Sequence, residues 1–161
     1  MRLVFLSARL IASNSSAKTA MGGEFVLDAS VAAKLFFIEE HSDLAAAALR
    51  VAERLIAPEL LFLEIASIAA KHSRRGFASS AQGMQAVRSI VNLLDETVPL
   101  LGLAPRAFAL AETHGCSVYD GAYLALAEER NVRLLTADMK LVRLARQSGL
   151  GDFMCPLAES S

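Results

Sequence analysis

A stretch near the start of the chain, residues 25–30, passes from a strand pattern to a helix pattern at an aspartate. Three apolar residues precede Asp28, and apolar residues with helical spacing follow Ser30. An acid at this point lies between the carboxyl end of a strand and the amino end of a helix, which is where open α/β sheets bind their ligands. The stretch therefore predicts an α/β fold with a polar site beside Asp28.

The rest of the chain alternates between helix patterns and short strand patterns. Helices are predicted over residues 31–37, 44–55, 59–75, 79–96, 105–114, 117–129 and 139–147. Strands are predicted over residues 25–27, 56–58, 97–101, 132–136 and 153–156. Pro99 restricts the third of these strands to a sheet edge or a strand end. The alternation indicates one mainly parallel sheet flanked by helices.

Composition limits the classes of function that fit the chain. The 161 residues are enough for one domain with a hydrophobic core. Apolar residues make up 54% of them, yet no uninterrupted apolar run reaches the roughly 18 residues of a membrane span. The net charge of -1 provides no basic field over the whole surface, so any binding of nucleic acid is local. Cys116 and Cys155 belong to no CxxC pair, which disfavours a zinc site and fits a cytoplasmic protein without disulfides.

The first 23 residues differ from the remainder of the chain. Arg9 interrupts an apolar region that otherwise resembles a signal peptide, and residues 14–19 are polar and without a period. We expect residues 1–23 to be a mobile extension, with Met21, just ahead of the first strand, as the natural start. A single domain is predicted over residues 24–158.

Three aspartates lie where a helix begins, so each has a structural explanation. Asp28 and Asp138 both stand between a predicted strand and a predicted helix, where an aspartate can cap the helix. Asp120 follows Ser117 at the spacing of a capping box, in which the acid accepts a hydrogen bond from the cap amide. Capping alone would explain any one of these three acids.

Glu64 is not explained by capping. It is the only charged residue within residues 60–70, a helix that is apolar on nearly every side and is predicted to be largely buried. An unpaired carboxylate there would cost several kcal/mol or take up a proton. A buried cation, a polar cleft or a hydrogen bond would each remove this cost.

The four acids together indicate a metal site. Asp28 and Asp138 follow strands, Asp120 opens a helix and Glu64 lies inside one, so a parallel fold can bring all four to the same end of the sheet. Carboxylates held close together raise one another's pKa unless a cation neutralises them. Mg²⁺ or Mn²⁺ fits, because these ions take oxygen ligands and use only a few carboxylates.

Four fragments of the chain resemble the PIN-domain family, and within it the VapC group of toxins from bacterial toxin-antitoxin modules. They are residues 26–31, residues 57–60 leading to Glu64, residues 117–127 and residues 135–138. The resemblance covers about residues 25–157 in the right order. It implies a PIN-like three-layer α/β/α fold, and an endoribonuclease that hydrolyses RNA with Mg²⁺ or Mn²⁺.

The resemblance also implies roles for individual residues. The catalytic and metal-binding acids would be Asp28, Glu64, Asp120 and Asp138, with Asp28 and Asp120 as direct ligands. Ser30 and Thr136 match the usual polar neighbours of the acids, and can orient a ligand or water. Ser67 stands where the family often has asparagine, and Gly121 stands where it often has alanine. Glycine lowers helix propensity by about 1 kcal/mol at such a position.

Partners follow from the same resemblance. It implies a homodimer and a cognate antitoxin protein whose amphipathic helix covers apolar surface. That surface is predicted from an apolar surplus in the first and third helices, at Phe36, Phe37, Leu60, Leu61 and Phe62. The alternative is a catalytically silent PIN domain that binds RNA or protein without cleavage. Intact acids at all four positions favour the enzyme.

Overall fold

Strands and helices alternate along the computed structural model, which describes residues 23–158. The strands are β1 (Glu24–Leu27), β2 (Arg54–Pro58), β3 (Glu96–Val98), β4 (Arg133–Thr136) and β5 (Met154–Pro156). The helices are α1 (Ala29–Ala32), α2 (Ser42–Val51), α3 (Leu60–Arg74), α4 (Ser80–Ser89), α5 (Leu100–His114), α6 (Val118–Arg130) and α7 (Met139–Gln147). Short 3-10 helices occur at Ala33–Leu35, Ile90–Leu93 and Gly151–Phe153. The predicted mobile extension, apart from Gly23, lies outside the described residues, and so does Met21, the predicted natural start of the protein.

The strands of this range form one sheet in the order β3-β2-β1-β4-β5, and every neighbouring pair is parallel. In the central strand β1, Val26 lies opposite Ile56 on one side and Leu134 on the other. Because β1 and β4 are parallel neighbours, the residues that follow them lie side by side at the carboxyl ends of the strands. The predicted parallel sheet is confirmed, and so is the edge position of the strand before Pro99.

Helices cover both faces of the sheet and form two hydrophobic cores. Phe25 and Leu27 belong to the first core, whereas Val26 between them belongs to the second. This alternation follows from the two-residue period of a strand. Residues of α2, α3 and α4 complete the first core, and residues of α5, α6 and α7 form most of the second. The predicted three-layer α/β/α fold is confirmed.

The predicted boundary between the second helix and the second strand is wrong. The helix predicted over residues 44–55 ends at Val51, and β2 begins at Arg54. Leu55 is held in the strand by Asp95, whose carboxylate accepts from the Leu55 amide and whose own amide donates to the Leu55 carbonyl, both at 2.8 Å. A contact between residues 40 positions apart thus overrides the helix propensity of the alanine-rich sequence.

The region around β3 also departs from its predicted boundaries. The helix predicted over residues 79–96 ends as α4 at Ser89 and continues only as a 3-10 turn. The strand predicted over residues 97–101 ends at Val98, and α5 already begins at Leu100. Pro105 therefore lies inside α5 rather than at its start. The helix tolerates Pro105 because it lies on an exposed face. The carbonyl that would have accepted from the missing amide, that of Leu101, belongs to an exposed residue.

Gly121 allows α5 and α6 to approach each other closely. A Cβ atom at this position would lie 2.6 Å from the carbonyl oxygen of Ala107, inside ordinary contact distance. The expectation that this glycine only weakens helix propensity is therefore incomplete. Its absent side chain sets the spacing of the two helices, and so the position of α6 above the sheet.

An ion-pair network joins the amino ends of three neighbouring strands. Arg54 of β2 pairs with Glu24 of β1 at 2.9 Å and with Glu96 of β3 at 2.5 Å, and Glu96 also pairs with Arg130 of α6. The hydrogen bond from Arg130 is the main reason that the pKa of Glu96 lies below its usual value. The network joins the strands at their amino ends, whereas Asp28 and Asp138 follow the carboxyl ends of β1 and β4.

The predicted apolar surface is largely wrong. Phe37, Leu60 and Leu61 are buried in the cores, and Phe36 and Phe62 are partly buried against them. The exposed large apolar side chains lie elsewhere, and among them are Ile38, Leu63, Phe77, Leu101 and Phe108. Among residues 23–158, no helix has the length and apolar character needed to cross a membrane.

Candidate active site

Asp28 is a buried carboxylate at the carboxyl end of the central strand, with 9% of its surface exposed. Its Oδ2 atom accepts hydrogen bonds from the hydroxyls of Ser30 at 2.6 Å and Thr136 at 2.5 Å. Although Asp28 occupies the position before α1, its side chain makes no capping hydrogen bond there. The capping interpretation of Asp28 is therefore wrong, and the carboxylate needs another explanation.

The two hydroxyls join the ends of β1 and β4. Ser30 Oγ accepts from the Ala137 amide at 2.9 Å, and Thr136 Oγ1 accepts from the Asp138 amide at 3.0 Å. Each hydroxyl thus accepts from the β4 end while it donates to Asp28. One hydroxyl lies between the Asp28 carboxylate and the backbone of Asp138, so these two acid-bearing strand ends are held together.

The capping interpretations of Asp138 and Asp120 are confirmed. Asp138 Oδ1 accepts from the amides of Lys140 and Leu141 at the start of α7, at 2.8 and 3.1 Å. Asp120 Oδ2 accepts from the amide and hydroxyl of Ser117 at 3.3 and 2.7 Å, which forms the predicted capping box of α6. Both caps use a single oxygen of the carboxylate. Within residues 23–158 the second oxygen of each accepts no hydrogen bond, so capping does not exclude a further ligand.

Glu64 lies on α3 and is hydrogen-bonded to a tyrosine. The hydroxyl of Tyr123 on α6 donates to Glu64 Oε2, across 59 positions of sequence. The prediction that Glu64 lies in a largely buried helix is wrong, because Leu63 beside it is 71% exposed and Glu64 itself is only half-buried. Of the alternatives left open for this acid, the hydrogen bond is present. Ser67, one turn further along α3, is exposed.

Tyr123 is a site residue that the sequence analysis missed. Its side chain is buried, with 2% of the residue exposed. The available signal was its spacing, because a residue three positions after Asp120 lies on the same face of the helix. Burial, and then the nearby charges of Asp28 and Glu64, raise the pKa of Tyr123 far above its usual value. The hydroxyl therefore keeps its proton and remains a donor.

Electrostatics link three of the four acids. Burial is the main reason that the pKa of Asp28 is raised, the Ser30 and Thr136 hydroxyls oppose the rise, and the charge of Asp120 adds to it. Burial also raises the pKa of Glu64, against the hydrogen bond from Tyr123 and together with the charges of Asp28 and Asp120. The charge of Asp120 thus reaches both Asp28 and Glu64, and the charge of Asp28 also reaches Glu64.

The four acids offer only oxygen donors, and they do not form a closed metal site. Within residues 23–158, no group of three or more histidine, cysteine, aspartate or glutamate side chains is close enough to hold a metal ion by itself. Mg²⁺ keeps several water ligands and needs only one or two carboxylates, so it does not require such a group. The oxygen donors and their unfavourable mutual charges fit Mg²⁺ or Mn²⁺ rather than zinc.

Known proteins resemble this chain in sequence. The model of the PIN domain family matches residues 25–147. Ribonuclease VapC3 of Pyrobaculum aerophilum is 35% identical over 120 residues, which cover 73% of this chain and 92% of that protein. Ribonuclease VapC9 of Mycobacterium tuberculosis is 34% identical over 132 residues, which cover 82% of this chain and 94% of that protein.

Two solved structures share the fold. A toxin-antitoxin complex from Klebsiella pneumoniae superimposes with a TM-score of 0.62 at 18% identity, over 84% of this chain and 99% of that chain. The crystal structure of PAE2754 from Pyrobaculum aerophilum superimposes with a TM-score of 0.60 at 23% identity, over 77% of this chain and 87% of that chain. The family match over residues 25–147 and the near full-length alignment of the relatives lead to one conclusion: the chain belongs to the PIN-domain family.

Proposed function

We propose that this protein is a metal-dependent endoribonuclease and the toxin component of a toxin-antitoxin module. The observation that carries the proposal is the buried carboxylate of Asp28, held by two hydroxyls, with Glu64 and Asp120 within electrostatic reach. The names of the relatives as VapC ribonucleases support RNA as the substrate. A cytoplasmic location fits such a substrate and the two free cysteines.

Asp28 and Asp120 are the proposed direct ligands of Mg²⁺ or Mn²⁺, with Glu64 and Asp138 completing the site or holding water. These carboxylates would hold a divalent ion, which would supply a water of lowered pKa and a counter-charge for the phosphate. Ser30 and Thr136 keep the Asp28 carboxylate in one orientation through their hydrogen bonds to Oδ2. Because burial raises the pKa values of Asp28 and Glu64, a bound cation would favour the ionised form of both carboxylates.

Cleavage of RNA by purified protein tests this function. We expect a pool of single-stranded RNA to be cut in Mg²⁺ or Mn²⁺ and to stay intact in chelator. Asp28→Asn should fold and lose cleavage, because the amide removes the buried charge. Asp152→Asn is the matched control, since Asp152 is exposed and precedes the amino end of β5, whereas Asp28 follows the carboxyl end of β1. Undiminished cleavage by Asp28→Asn would refute the mechanism.

The alternative function is a silent PIN domain that binds RNA or protein. It predicts that RNA stays intact in either metal ion while a gel-shift assay still detects binding. The four acids are all present, and in the described part of the chain none of their carboxylates forms an ion pair with an arginine or lysine side chain, which favours the enzyme. Intact RNA bound equally well by wild type and Asp28→Asn would establish the silent alternative.

An antitoxin protein is the proposed partner, supported by the fold shared with the toxin-antitoxin complex. A groove of about 540 Å³ between the end of the first 3-10 helix and α3–α4 is a suitable site, because Ile38 is 94% exposed and Phe77 is 73% exposed along it. An apolar helix or strand of the partner would cover these side chains. Ile38→Glu should weaken complex formation in pull-down with the co-expressed partner, and should leave RNA cleavage by the free protein unchanged.

A homodimer is also proposed, and exposed apolar side chains on α5 support this helix as the dimer surface. Leu101 is 89% exposed and Phe108 is 60% exposed, and the two residues lie seven positions apart on one helix face. Light scattering of the purified protein should give the mass of a dimer, and Leu101→Glu should give that of a monomer. A monomer in the wild-type protein would refute this part of the proposal.

A further inference from the structure

Tyr123 lies between the chain segments that carry Asp28, Glu64 and Asp120. Tyr123 shares a helix face with Asp120 on α6, and its hydroxyl donates to Glu64 on α3. Tyr123 also packs in the same hydrophobic core as Val26 of β1, the strand that Asp28 follows. One buried side chain therefore contacts or adjoins the segments of Asp28, Glu64 and Asp120.

The acids differ in what holds them in place. Asp28 is held by the hydroxyls of Ser30 and Thr136, and Asp120 by its capping box with Ser117. Within the described part of the chain, the carboxylate of Glu64 accepts a hydrogen bond from Tyr123 alone. Glu64 has a longer side chain than an aspartate and is only half-buried, so packing restrains it less.

We propose that Tyr123 is a positioning residue, which sets the place of the Glu64 carboxylate relative to Asp28 and Asp120 for the binding of a divalent cation. The inference rests on the proposed function, and it adds to the four acids a residue that acts through one of them. The ring of Tyr123 is buried, and it packs in the same core as Val26 of β1, so the position of its hydroxyl is fixed relative to that strand. Tyr123 thereby links the helix layer to the sheet edge at the site.

Tyr123→Phe removes the hydroxyl and keeps the ring. We expect the Mn²⁺ affinity of this variant, measured by titration calorimetry without RNA, to fall about 10- to 100-fold, as when other outer partners of metal ligands are removed. Tyr119→Phe is the matched control, because Tyr119 is 65% exposed and lies on the same helix. It should bind Mn²⁺ and cut RNA like the wild type.

A double mutant tests whether Tyr123 acts through Glu64. On a Glu64→Gln background, the further change Tyr123→Phe should cost much less affinity than it does on the wild-type background, because coupled residues are not additive. Equal losses on both backgrounds, or unchanged Mn²⁺ affinity in Tyr123→Phe, would overturn the inference.

A measurement on the unmutated site keeps the inference testable if Tyr123→Phe does not fold. The chain has two tyrosines, so 3-fluorotyrosine labelling gives two fluorine resonances, and Tyr119→Phe assigns them. The Tyr123 resonance should move on addition of Mg²⁺ more than that of Tyr119. No movement at saturating Mg²⁺ would contradict the inference.

These outcomes separate the inference from the proposed function. Wild-type protein that binds Mn²⁺ but cuts no RNA would refute the ribonuclease, while the calorimetry still decides the role of Tyr123. Wild-type protein that binds no Mn²⁺ would overturn both.

Discussion

Alanine in place of Gly121 should destabilise the protein, although the same change stabilises most helices. In an exposed helix, glycine to alanine gains about 1 kcal/mol of helix propensity. Here the new Cβ would lie 2.6 Å from the carbonyl oxygen of Ala107 and 3.2 Å from its Cα, whereas ordinary contact begins at 3.4 Å. The atoms it meets are backbone and cannot rotate away, so α5 and α6 must separate.

The magnitude follows from two opposing contributions. Overpacking of a tight contact costs about 1–3 kcal/mol, and the backbone contact at Gly121 argues for the upper part of that range. After the gain in helix propensity, we expect a net loss of about 1–2 kcal/mol in the free energy of unfolding. A loss of 1 kcal/mol lowers Tm by about 2–4 °C in a chain of this size.

Gly102→Ala is the matched control, because it makes the same change on the partner helix α5. No heavy atom lies within 4 Å of the Cβ that would be added there. We expect this variant to be more stable than the wild type by about 0.5–1 kcal/mol. Urea unfolding followed by circular dichroism measures both variants.

Opposite signs for the two glycines are the expected result. Equal stabilisation by Gly121→Ala and Gly102→Ala would show that α5 and α6 do not approach as closely as the structure indicates. A loss of stability in both would show that the effect comes from glycine at helical positions rather than from the contact with Ala107.

Three further predictions concern the site and the sheet. Thr136→Val removes a hydroxyl that lowers the pKa of Asp28. The acid limb of the pH profile of RNA cleavage should therefore move to higher pH. An unchanged profile would contradict the role of this hydrogen bond. Burial raises the pKa of Asp28 and Glu64 in the folded state, so these groups bind more protons folded than unfolded. Without metal, their contribution to stability is full below the ordinary carboxylate pKa near 4, and it is lost as the pH rises through the raised pKa values of the folded state. Mg²⁺ should therefore raise Tm more at pH 7 than at pH 4. An equal rise at both pH values would count against carboxylate ligands. Glu96→Gln removes the carboxylate that pairs with Arg54 and Arg130, and it should lower stability by no more than about 1 kcal/mol because these ion pairs are partly exposed. The loss of stability should be smaller in 1 M salt than in dilute buffer. A loss that is independent of salt would show that charge is not its cause.

Capping and metal binding were alternative explanations for three of the acids, and in the structure a helix cap uses only one oxygen of a carboxylate. Asp120 and Asp138 each cap a helix with one oxygen and keep the other free of hydrogen bonds within the described residues. Only Asp28 makes no capping hydrogen bond from its side chain. A capping motif in the sequence is therefore compatible with a ligand role, because a carboxylate has two oxygens.

Local sequence patterns were sufficient for much of the fold and for the positions of the acids. The period of apolar residues predicted α7 with its observed bounds, and the Ser117 and Asp120 spacing predicted the capping box that opens α6. Such features depend on residues within one or two helical turns, so they can be recognised without knowledge of the rest of the chain. The alternation of these elements then indicated the parallel sheet that brings β1 and β4 together.

Contacts between distant segments decided the remainder. The start of β2 depends on Asp95, 40 positions away, and the placement of Glu64 depends on Tyr123, 59 positions away. The hydroxyl that orients Asp28 comes from Thr136, 108 positions away. Sequence periodicity carries no distance information at this range, so residues 25–30 indicated only that an acid lies between a strand and a helix. The packed strands and helices determine which hydroxyls hold that acid and which carboxylates lie near it.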